Sequence, residues 1–142
     1  MRLTSFTDYG LRTLMRLAGA LDRSFTSEEI AREFGISRHH LVKVIRQLAE
    51  AGFVATQRGA AGGIRLARAP KDITIGAVVR ALEARHALVE CFALDGGACT
   101  LTPTCRLKGK LARAREVFLA ELDRTTLAEC AWAPAAARRR AP

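Results

Sequence analysis

Two amphipathic helical segments separated by a very short turn constrain the fold of this chain more than any other feature. The stretch "FTSEEIAREFGIS" predicts a helix capped by Thr26, because Thr26 and Glu29 have the spacing of a capping box. Gly35 is placed to end that helix, and Ser37 to cap a second helix that runs to about Ala51. Two short helices joined by a three-residue turn with glycine are typical of a helix-turn-helix.

The segments on either side of this pair extend the pattern to a winged helix. Apolar residues recur at helical spacing from Phe6 to Leu21 and predict a preceding helix. Downstream, "FVATQRGAAGGIRLAR" places β-forming residues on both sides of a glycine-rich turn, which predicts a hairpin. The order helix, helix-turn-helix, hairpin is that of a winged helix. The predicted fold class is therefore mainly α with a small β-hairpin.

Two further helices are predicted in the C-terminal half. The stretch "DITIGAVVRALEA" predicts a helix capped by Thr74. The stretch "TPTCRLKGKLARAREVFLAELDRTT" predicts the longest helix, with Thr102 as its cap and Pro103 at its first position. Its apolar residues form a stripe wide enough for a partner helix in a dimer. The stripe consists of Leu107, Leu111, Ala114, Phe118 and Leu122.

The positive charge of the chain is concentrated in the helix-turn-helix and the hairpin. Of the net charge of +9, residues 37–68 hold +5, from six Lys or Arg residues and the single acid Glu50. This concentration favours DNA binding over a merely solvated surface. On the second helix, the side chains away from the apolar face are candidates for base and phosphate contacts in a major groove: Ser37, Arg38, His39, His40, Lys43, Arg46 and Gln47. In the wing, the candidates for a minor-groove contact are Arg58, Gly62, Gly63 and Arg65.

Less specific interpretations also fit parts of this pattern. Charged runs are typical of solvated faces, and His39 and His40 taken singly are as typical of a surface as of a base contact. Arg138, Arg139 and Arg140 indicate a solubilising tail rather than a specific contact. No stretch approaches the roughly 18 uninterrupted apolar residues of a membrane span, so we expect a cytoplasmic protein.

Three of the four cysteines lie within fifteen residues, in "CFALDGGACTLTPTC". In a reducing compartment, Cys91, Cys99 and Cys105 indicate metal or redox chemistry rather than a disulfide. Three soft thiolates favour an iron–sulfur cluster or zinc, although the tight cysteine pair of structural zinc sites is missing. Cys105 falls in the predicted first turn of the long helix, where the positive end of the helix dipole favours a thiolate. The simpler alternative is three unligated thiols.

Four separated motifs occur in an order that resembles a known family. They are "LTSFTDYGLRTL", "RGAAGGIRL", "ITIGAVVRALE" and "CFALDGGACTLTPTCRLKGKL", and together they extend over residues 1–130. The sequence resembles the NsrR family of nitric-oxide-sensing iron–sulfur repressors and, more distantly, the IscR regulators. This resemblance implies a homodimeric winged-helix repressor whose cluster, commonly 4Fe-4S, is held by Cys91, Cys99 and Cys105. The first interval between the cysteines is longer than in the family's usual form, which leaves the loop path at residues 95–97 open.

The fourth ligand of such a cluster is a separate question. Asp8 is preferred, because it lies in the "TSFTDYG" stretch that matches the family and because a weak oxygen ligand leaves one iron open to a small molecule. Arg12, one turn further along the same helix, is placed to pair with Asp8 or to offset the cluster's negative charge. An ordinary exposed salt bridge is the alternative for this pair. Other candidates for the ligand are His86, Glu90 and Asp95, while Cys130 is more typical of a buried cysteine.

The predicted organisation has three parts. Residues 1–80 form a winged helix-turn-helix DNA-binding domain, residues 81–130 a cluster-binding loop and dimerisation helix, and residues 131–142 a disordered basic tail. An enzyme is not expected, since the chain shows no partnered nucleophile, phosphate loop or paired acids. The predicted function is a repressor that binds an inverted-repeat operator in double-stranded DNA and releases it when nitric oxide nitrosylates the cluster. The alternatives are a 2Fe-2S cluster, a regulator that senses iron–sulfur supply, and a zinc-stabilised DNA-binding module.

Overall fold

The described part of the computed structural model, residues 2–59 and 62–135, consists of five α-helices and one antiparallel two-stranded sheet. The elements are α1 (Ser5–Ala18), α2 (Ser27–Phe34), α3 (Arg38–Glu50), β1 (Val54–Gln57), β2 (Gly63–Leu66), α4 (Ile75–Glu83) and α5 (Arg106–Leu122). Short 3-10 turns occupy Pro70–Asp72, Glu90–Phe92 and Leu127–Cys130. The order of α1, α2, α3 and the hairpin confirms the predicted winged-helix fold class. No helix in these ranges has both the length and the apolar character needed to span a bilayer.

The signals at both ends of α2 act as the sequence predicts, whereas the predicted cap of α3 does not. The Thr26 hydroxyl accepts a hydrogen bond from the Glu29 amide at 3.1 Å, and the Glu29 carboxylate accepts one from the Thr26 amide at 2.7 Å. Gly35 ends α2 in the left-handed conformation with φ of 63°. Ser37 occupies the position before α3, but its side chain makes no capping hydrogen bond.

Two helix boundaries differ from the prediction. Helix α1 ends at Ala18, and Leu21 lies beyond it with 63% of its surface exposed. The chain turns at Gly19 because this glycine lies against the backbone of Trp132, where a side chain would collide with it. Helix α5 begins at Arg106, so neither Thr102 nor Pro103 starts it. Residues 99–104 form successive turns instead, closed by hydrogen bonds from the Thr102 amide to the Cys99 carbonyl and from the Thr104 amide to the Leu101 carbonyl.

Helix α1 lies at the centre of the core and packs against both α3 and α4. The side chains that close this core are almost fully buried, and they come from each of these helices and from α2: Leu14, Leu17, Ile30, Leu41, Leu48, Val78 and Leu82. The wing is attached to the same core through a backbone bridge. The Phe25 amide donates to the Ile64 carbonyl at 3.0 Å, and the Ile64 amide donates to the Phe25 carbonyl at 2.7 Å. The hairpin is thereby fixed relative to the helix-turn-helix.

Only the C-terminal half of α5 packs closely on the rest of the chain, and it does so against α4. Leu119 is its one buried residue. Nearby, the Arg80 guanidinium makes two hydrogen bonds to the Asp123 carboxylate, at 2.7 and 2.6 Å. The Arg80 guanidinium, with the Thr74 hydroxyl beside it, holds the pKa of Asp123 below its usual value. The junction of α4 and α5 is therefore fixed by both apolar and charged contacts.

After α5 the chain returns to the helix-turn-helix. The Leu127 amide donates to the Ile73 carbonyl at 2.8 Å, and the Trp132 amide donates to the Met15 carbonyl at 2.9 Å. The Trp132 ring lies against Phe34 of α2, with 5.7 Å between ring centroids. We call residues 123–132 the C-terminal segment. Arg138, Arg139 and Arg140 of the predicted tail lie outside the described residues.

Gly76 tests the close approach of α4 and α5. A Cβ atom at this position would lie 2.7 Å from the Leu119 carbonyl oxygen and would collide with the Asp123 carboxylate. We expect Gly76→Ala to lower the free energy of unfolding by about 1–3 kcal/mol, measured by urea denaturation. Gly109→Ala on α5 is the matched control, because nothing lies within 4 Å of its added methyl group. It should raise stability by about 0.5–1 kcal/mol, and equal effects of the two changes would contradict the packing described here.

Candidate nucleic-acid interface and cysteine loop

Helix α3 presents a polar face to solvent because its apolar residues all point inward. Leu41, Val44, Ile45 and Leu48 are buried against α1 and α2. Six of the seven side chains predicted to face DNA are exposed: Ser37, Arg38, His39, His40, Lys43 and Arg46. Among the described residues, their only ion pair joins Arg46 to Glu50 at 2.9 Å, on the solvent side. Such an exposed pair is weak enough to be exchanged for a phosphate.

Gln47 is the exception among these side chains. Its Nε2 donates to the Ala81 carbonyl oxygen of α4 at 2.8 Å, so the amide is engaged inside the protein. On the same side of α3, His40 and Lys43 line a cleft of about 330 Å³ with Ser5, Phe6 and Tyr9 of α1. The first two turns of α1 therefore lie beside the polar face of α3.

The wing carries two exposed arginines, Arg58 and Arg65, on either side of its turn. Its glycines are required by contacts within the chain itself. A Cβ atom on Gly63 would lie 2.7 Å from the Ser24 Cβ, and one on Gly62 would collide with the Gln57 carbonyl. Gly63 thus allows the hairpin to pack on residues 24–25, and Gly62 allows its two strands to approach each other at the turn.

Asp8 and Arg12 form a bidentate ion pair on the surface of α1. Arg12 Nη2 lies 2.7 Å from Asp8 Oδ2, and Arg12 Nε donates to Asp8 Oδ1 at 3.1 Å. Both side chains are about half exposed, so the pair contributes at most about 1 kcal/mol to stability. The Asp8 carboxylate is thus accessible and held by a partner that it can leave at low cost.

The three cysteines lie in one irregular segment, residues 89–105, which we call the cysteine loop. Cys91 is in a short 3-10 turn, Cys99 is in a series of bends and turns, and Cys105 directly precedes α5. All three are unpaired, partly buried thiols. Within residues 2–59 and 62–135, no three His, Cys, Asp or Glu side chains lie close enough together to hold a metal ion. The structure places the thiols in one loop but does not bring them together.

Hydrogen bonds inside the cysteine loop occupy the nearby carboxylates. The Gly97 amide donates to Asp95 at 3.0 Å, and the Ala98 amide donates to Glu90 at 3.2 Å. Gly96 and Gly97 both have left-handed backbone, with φ of 82° and 62°. Cys130 is distant in sequence and packs at the edge of the core. The loop therefore offers three free thiols, the donor type suited to a soft metal centre.

Glu83 joins the end of α4 to the start of α1, a contact that the sequence does not signal. At the end of α4, its carboxylate accepts hydrogen bonds from the Thr4 amide and the Thr4 hydroxyl, both at 2.8 Å. Burial acts to raise the pKa of Glu83, but hydrogen bonds from Thr7 and Thr4 outweigh it and the pKa is lowered. His86 lies 3.8 Å away on the opposite side of the carboxylate. The charged Glu83 thus fixes the start of α1 to the point where the chain leaves α4.

The apolar stripe predicted on α5 is divided in two. Leu107 is 61% exposed, and Ala114 is also exposed, while Leu111 is half-buried. Phe118 and Leu122 instead pack against the core of the same chain. Val117, which the stripe did not include, is 62% exposed. Residues 107–117 of α5 therefore carry the apolar surface that this chain leaves uncovered.

Comparisons with known proteins agree with this architecture. The Rrf2 family, described as iron-dependent transcriptional regulator, matches residues 3–131. The HTH-type transcriptional regulator NsrR of Geobacillus kaustophilus (strain HTA426) is 50% identical over 131 residues, which are 91% of this chain and 88% of that protein. CymR (YrzC), the global cysteine regulator of B. subtilis, has a TM-score of 0.70 at 29% identity, covering 92% of this chain and 96% of its own. IscR of T. potens has a TM-score of 0.69 at 28% identity, covering 91% and 85%. These relatives are regulators and not enzymes.

Proposed function

We propose, from the premise that this chain belongs to the Rrf2 family of transcriptional regulators, that it is a repressor that senses nitric oxide through an iron–sulfur cluster. The observation that carries the proposal is the position of the cysteine loop. It follows α4 after the five residues 84–88; at the end of α4, Glu83 is bonded to Thr4 at the start of α1, and the first turns of α1 lie beside the polar face of α3. The relative that is 50% identical is itself called NsrR. A signal at the loop therefore has a short physical route to the DNA-reading helix.

The polar face of α3 is suited to the major groove. Arg38, His39 and Lys43 supply donors near the start of the helix, where a recognition helix contacts base edges. Arg58 and Arg65 of the wing are placed for the adjacent backbone or minor groove. Gln47 has a different role in this account. Because it donates to Ala81, it fixes α3 against α4 rather than reading a base.

Cys91, Cys99 and Cys105 would hold the cluster. A bound iron–sulfur cluster would supply iron atoms. An iron that has no thiolate ligand from the protein is open to a small molecule. The thiols must first come together, which requires the cysteine loop to exchange its short-range turns for metal bonds. Ligand binding and loop folding are therefore coupled. Three thiolates leave one corner of a 4Fe-4S cluster for another ligand, whereas a 2Fe-2S cluster is the alternative.

Asp8 is the side chain that we propose for the remaining corner. Its partner, Arg12, is exposed and the pair is weak, so the carboxylate is available at little cost. Glu90 and Asp95 are less free, because each accepts a backbone amide of the cysteine loop. His86 is near the carboxylate of Glu83. After release of Asp8, Arg12 remains one turn away and is placed to offset negative charge.

A homodimer supplies the second half of the interface with DNA. The exposed residues Leu107, Ala114 and Val117 of α5, with the half-buried Leu111, form an apolar surface that a second α5 can cover. Phe118 and Leu122 contribute less in this arrangement, since they already pack on their own core. Two copies of α3 then face an inverted-repeat operator in double-stranded DNA.

The proposed switch acts through α1. If Asp8 of either chain binds the cluster, the first turns of α1 are held to the cysteine loop, and these turns face His40 and Lys43 across the cleft. Reaction with nitric oxide removes that restraint. The operator is released because the dimer geometry that binds it is no longer stabilised relative to the geometry that does not.

Sensing of iron–sulfur supply is the second candidate function. It is favoured by the structural similarity to IscR of T. potens, at a TM-score of 0.69. The two functions share the winged helix and the cysteine loop, so they differ only in the signal. Comparing the response of operator binding to nitric oxide and to cluster loss separates them.

We expect the protein purified without air to contain iron and sulfide. Changing any one of Cys91, Cys99 and Cys105 to alanine should abolish the visible absorbance, because two thiolates cannot retain the cluster. Cys130→Ala is the matched control, since Cys130 packs at the edge of the core, and it should keep the cluster. Absorbance spectra with iron and zinc analysis give the readout. A colourless protein loaded with zinc would show that the chain is the zinc-stabilised module instead.

We expect Lys43→Ala to weaken operator binding by about 1–3 kcal/mol if Lys43 contacts a base. If it contacts a phosphate, the slope of log affinity against log salt should fall by about one. Lys110→Ala removes an equally exposed lysine from α5 and should leave both quantities unchanged. Gel shifts over a salt series measure them. The same affinity and slope for Lys43→Ala and wild type would remove this residue from the interface.

Nitric oxide should lower the specific affinity for the operator by at least about tenfold, which needs only about 1.4 kcal/mol between the two dimer geometries. Asp8→Ala should lower operator affinity before any nitric oxide is added, since the three thiolates retain the cluster but α1 is no longer held. Asp22→Ala, another exposed aspartate, is the control and should behave as wild type. If Asp8→Ala keeps its cluster, affinity and response at wild-type levels, the ligand must be sought at His86, Glu90 or Asp95.

A further inference from the structure

Val42 is an apolar residue on the polar face of α3. Helix α3 exposes seven side chains, and Val42 is the only one of them that is apolar, with 47% of its surface accessible. It lies one helical turn after Arg38 and one turn before Arg46, and Lys43 follows it directly. The valine is therefore surrounded on the helix surface by the cations proposed to contact DNA.

Local stability does not account for a valine at this position. Branching at Cβ makes valine a poorer helix former than alanine, and an exposed valine gains little from burial in its own chain. Single exposed apolar residues are common on protein surfaces, so exposure alone would carry no argument. The decisive observation is the placement, because Val42 must lose its contact with water whenever the charged residues around it bind DNA.

We propose that Val42 is a subsite for the 5-methyl group of a thymine in the operator. This inference rests on the proposed DNA-binding function and adds a base to it. In the major groove, thymine is the only base that presents a methyl group, and small apolar side chains contact it. The two methyl groups of valine pack on the thymine methyl and exclude water from it, while the neighbouring cations fix the helix on the backbone. Each half-site then requires a thymine at the position that Val42 reaches.

The test compares thymine with deoxyuridine, which differs from it only in lacking the methyl group. Operator duplexes are first selected from a random pool by the wild-type holoprotein, and each thymine is then replaced singly by deoxyuridine. We expect one thymine in each half-site at which the replacement weakens wild-type binding by about fourfold, the factor for removing one methyl group from an apolar contact. Val42→Ala should cost a similar factor on the thymine operator. The Val42→Ala variant on the deoxyuridine duplex should lose no more affinity than is lost with either change alone.

Matched variants separate this contact from general effects. Leu21→Ala removes an exposed apolar side chain from the turn after α1, and it should leave the affinity for every duplex unchanged. Val42→Ile keeps the branched side chain and should keep the preference for thymine, and circular dichroism checks that each variant is folded. If Val42→Ala responds to every deoxyuridine replacement as the wild type does, the inference is wrong while DNA binding stands. If the wild type selects no operator at all, the proposed function fails and the inference fails with it.

Discussion

The fixation of α4 at both of its ends is the constraint on which the rest of the structure depends. Asp123 at the end of α5 binds Thr74 at the start of α4 and Arg80 in its last turn, and Glu83 at the end of α4 binds Thr4 at the start of α1. Its inward face, with Val78 and Leu82 almost fully buried, closes the core of the winged helix. The elements that carry the candidate ligands and the exposed part of α5 are thus attached to one buried helix. All of these elements are therefore connected through α4 to α1 and α3, on which it packs.

Both attachments are centred on a carboxylate: Asp123 is paired with the Arg80 guanidinium, and Glu83 accepts hydrogen bonds from Thr4. The pKa values of Glu83 and Asp123 are both lowered, so both carboxylates are charged at neutral pH and keep their hydrogen bonds. The Asp8–Arg12 pair differs, because it is exposed and joins residues of a single helix. The molecule therefore combines contacts that fix its framework with one pair that can be exchanged without disturbing that framework.

The sequence predicted the features that depend on neighbouring residues. The capping box at Thr26 and Glu29 and the turn at Gly35 need only a few adjacent residues, and all of them are present. The contacts that were missed join residues far apart, 34 positions for Gln47 and Ala81 and 79 for Thr4 and Glu83. No periodicity signals such a pair, because it depends on how finished elements pack. The cysteine spacing likewise predicted one shared loop, while the distances between the thiols depend on a fold of that loop that spacing does not determine.

The position of Trp132 has a practical consequence. It is the only tryptophan of the chain, and its ring lies against Phe34, beside Arg12 and Met15 of α1. Intrinsic fluorescence of this protein therefore comes from one indole located where the C-terminal segment meets the helix-turn-helix. Its emission is a built-in optical signal for movement of α1 against α2, obtained without any attached dye.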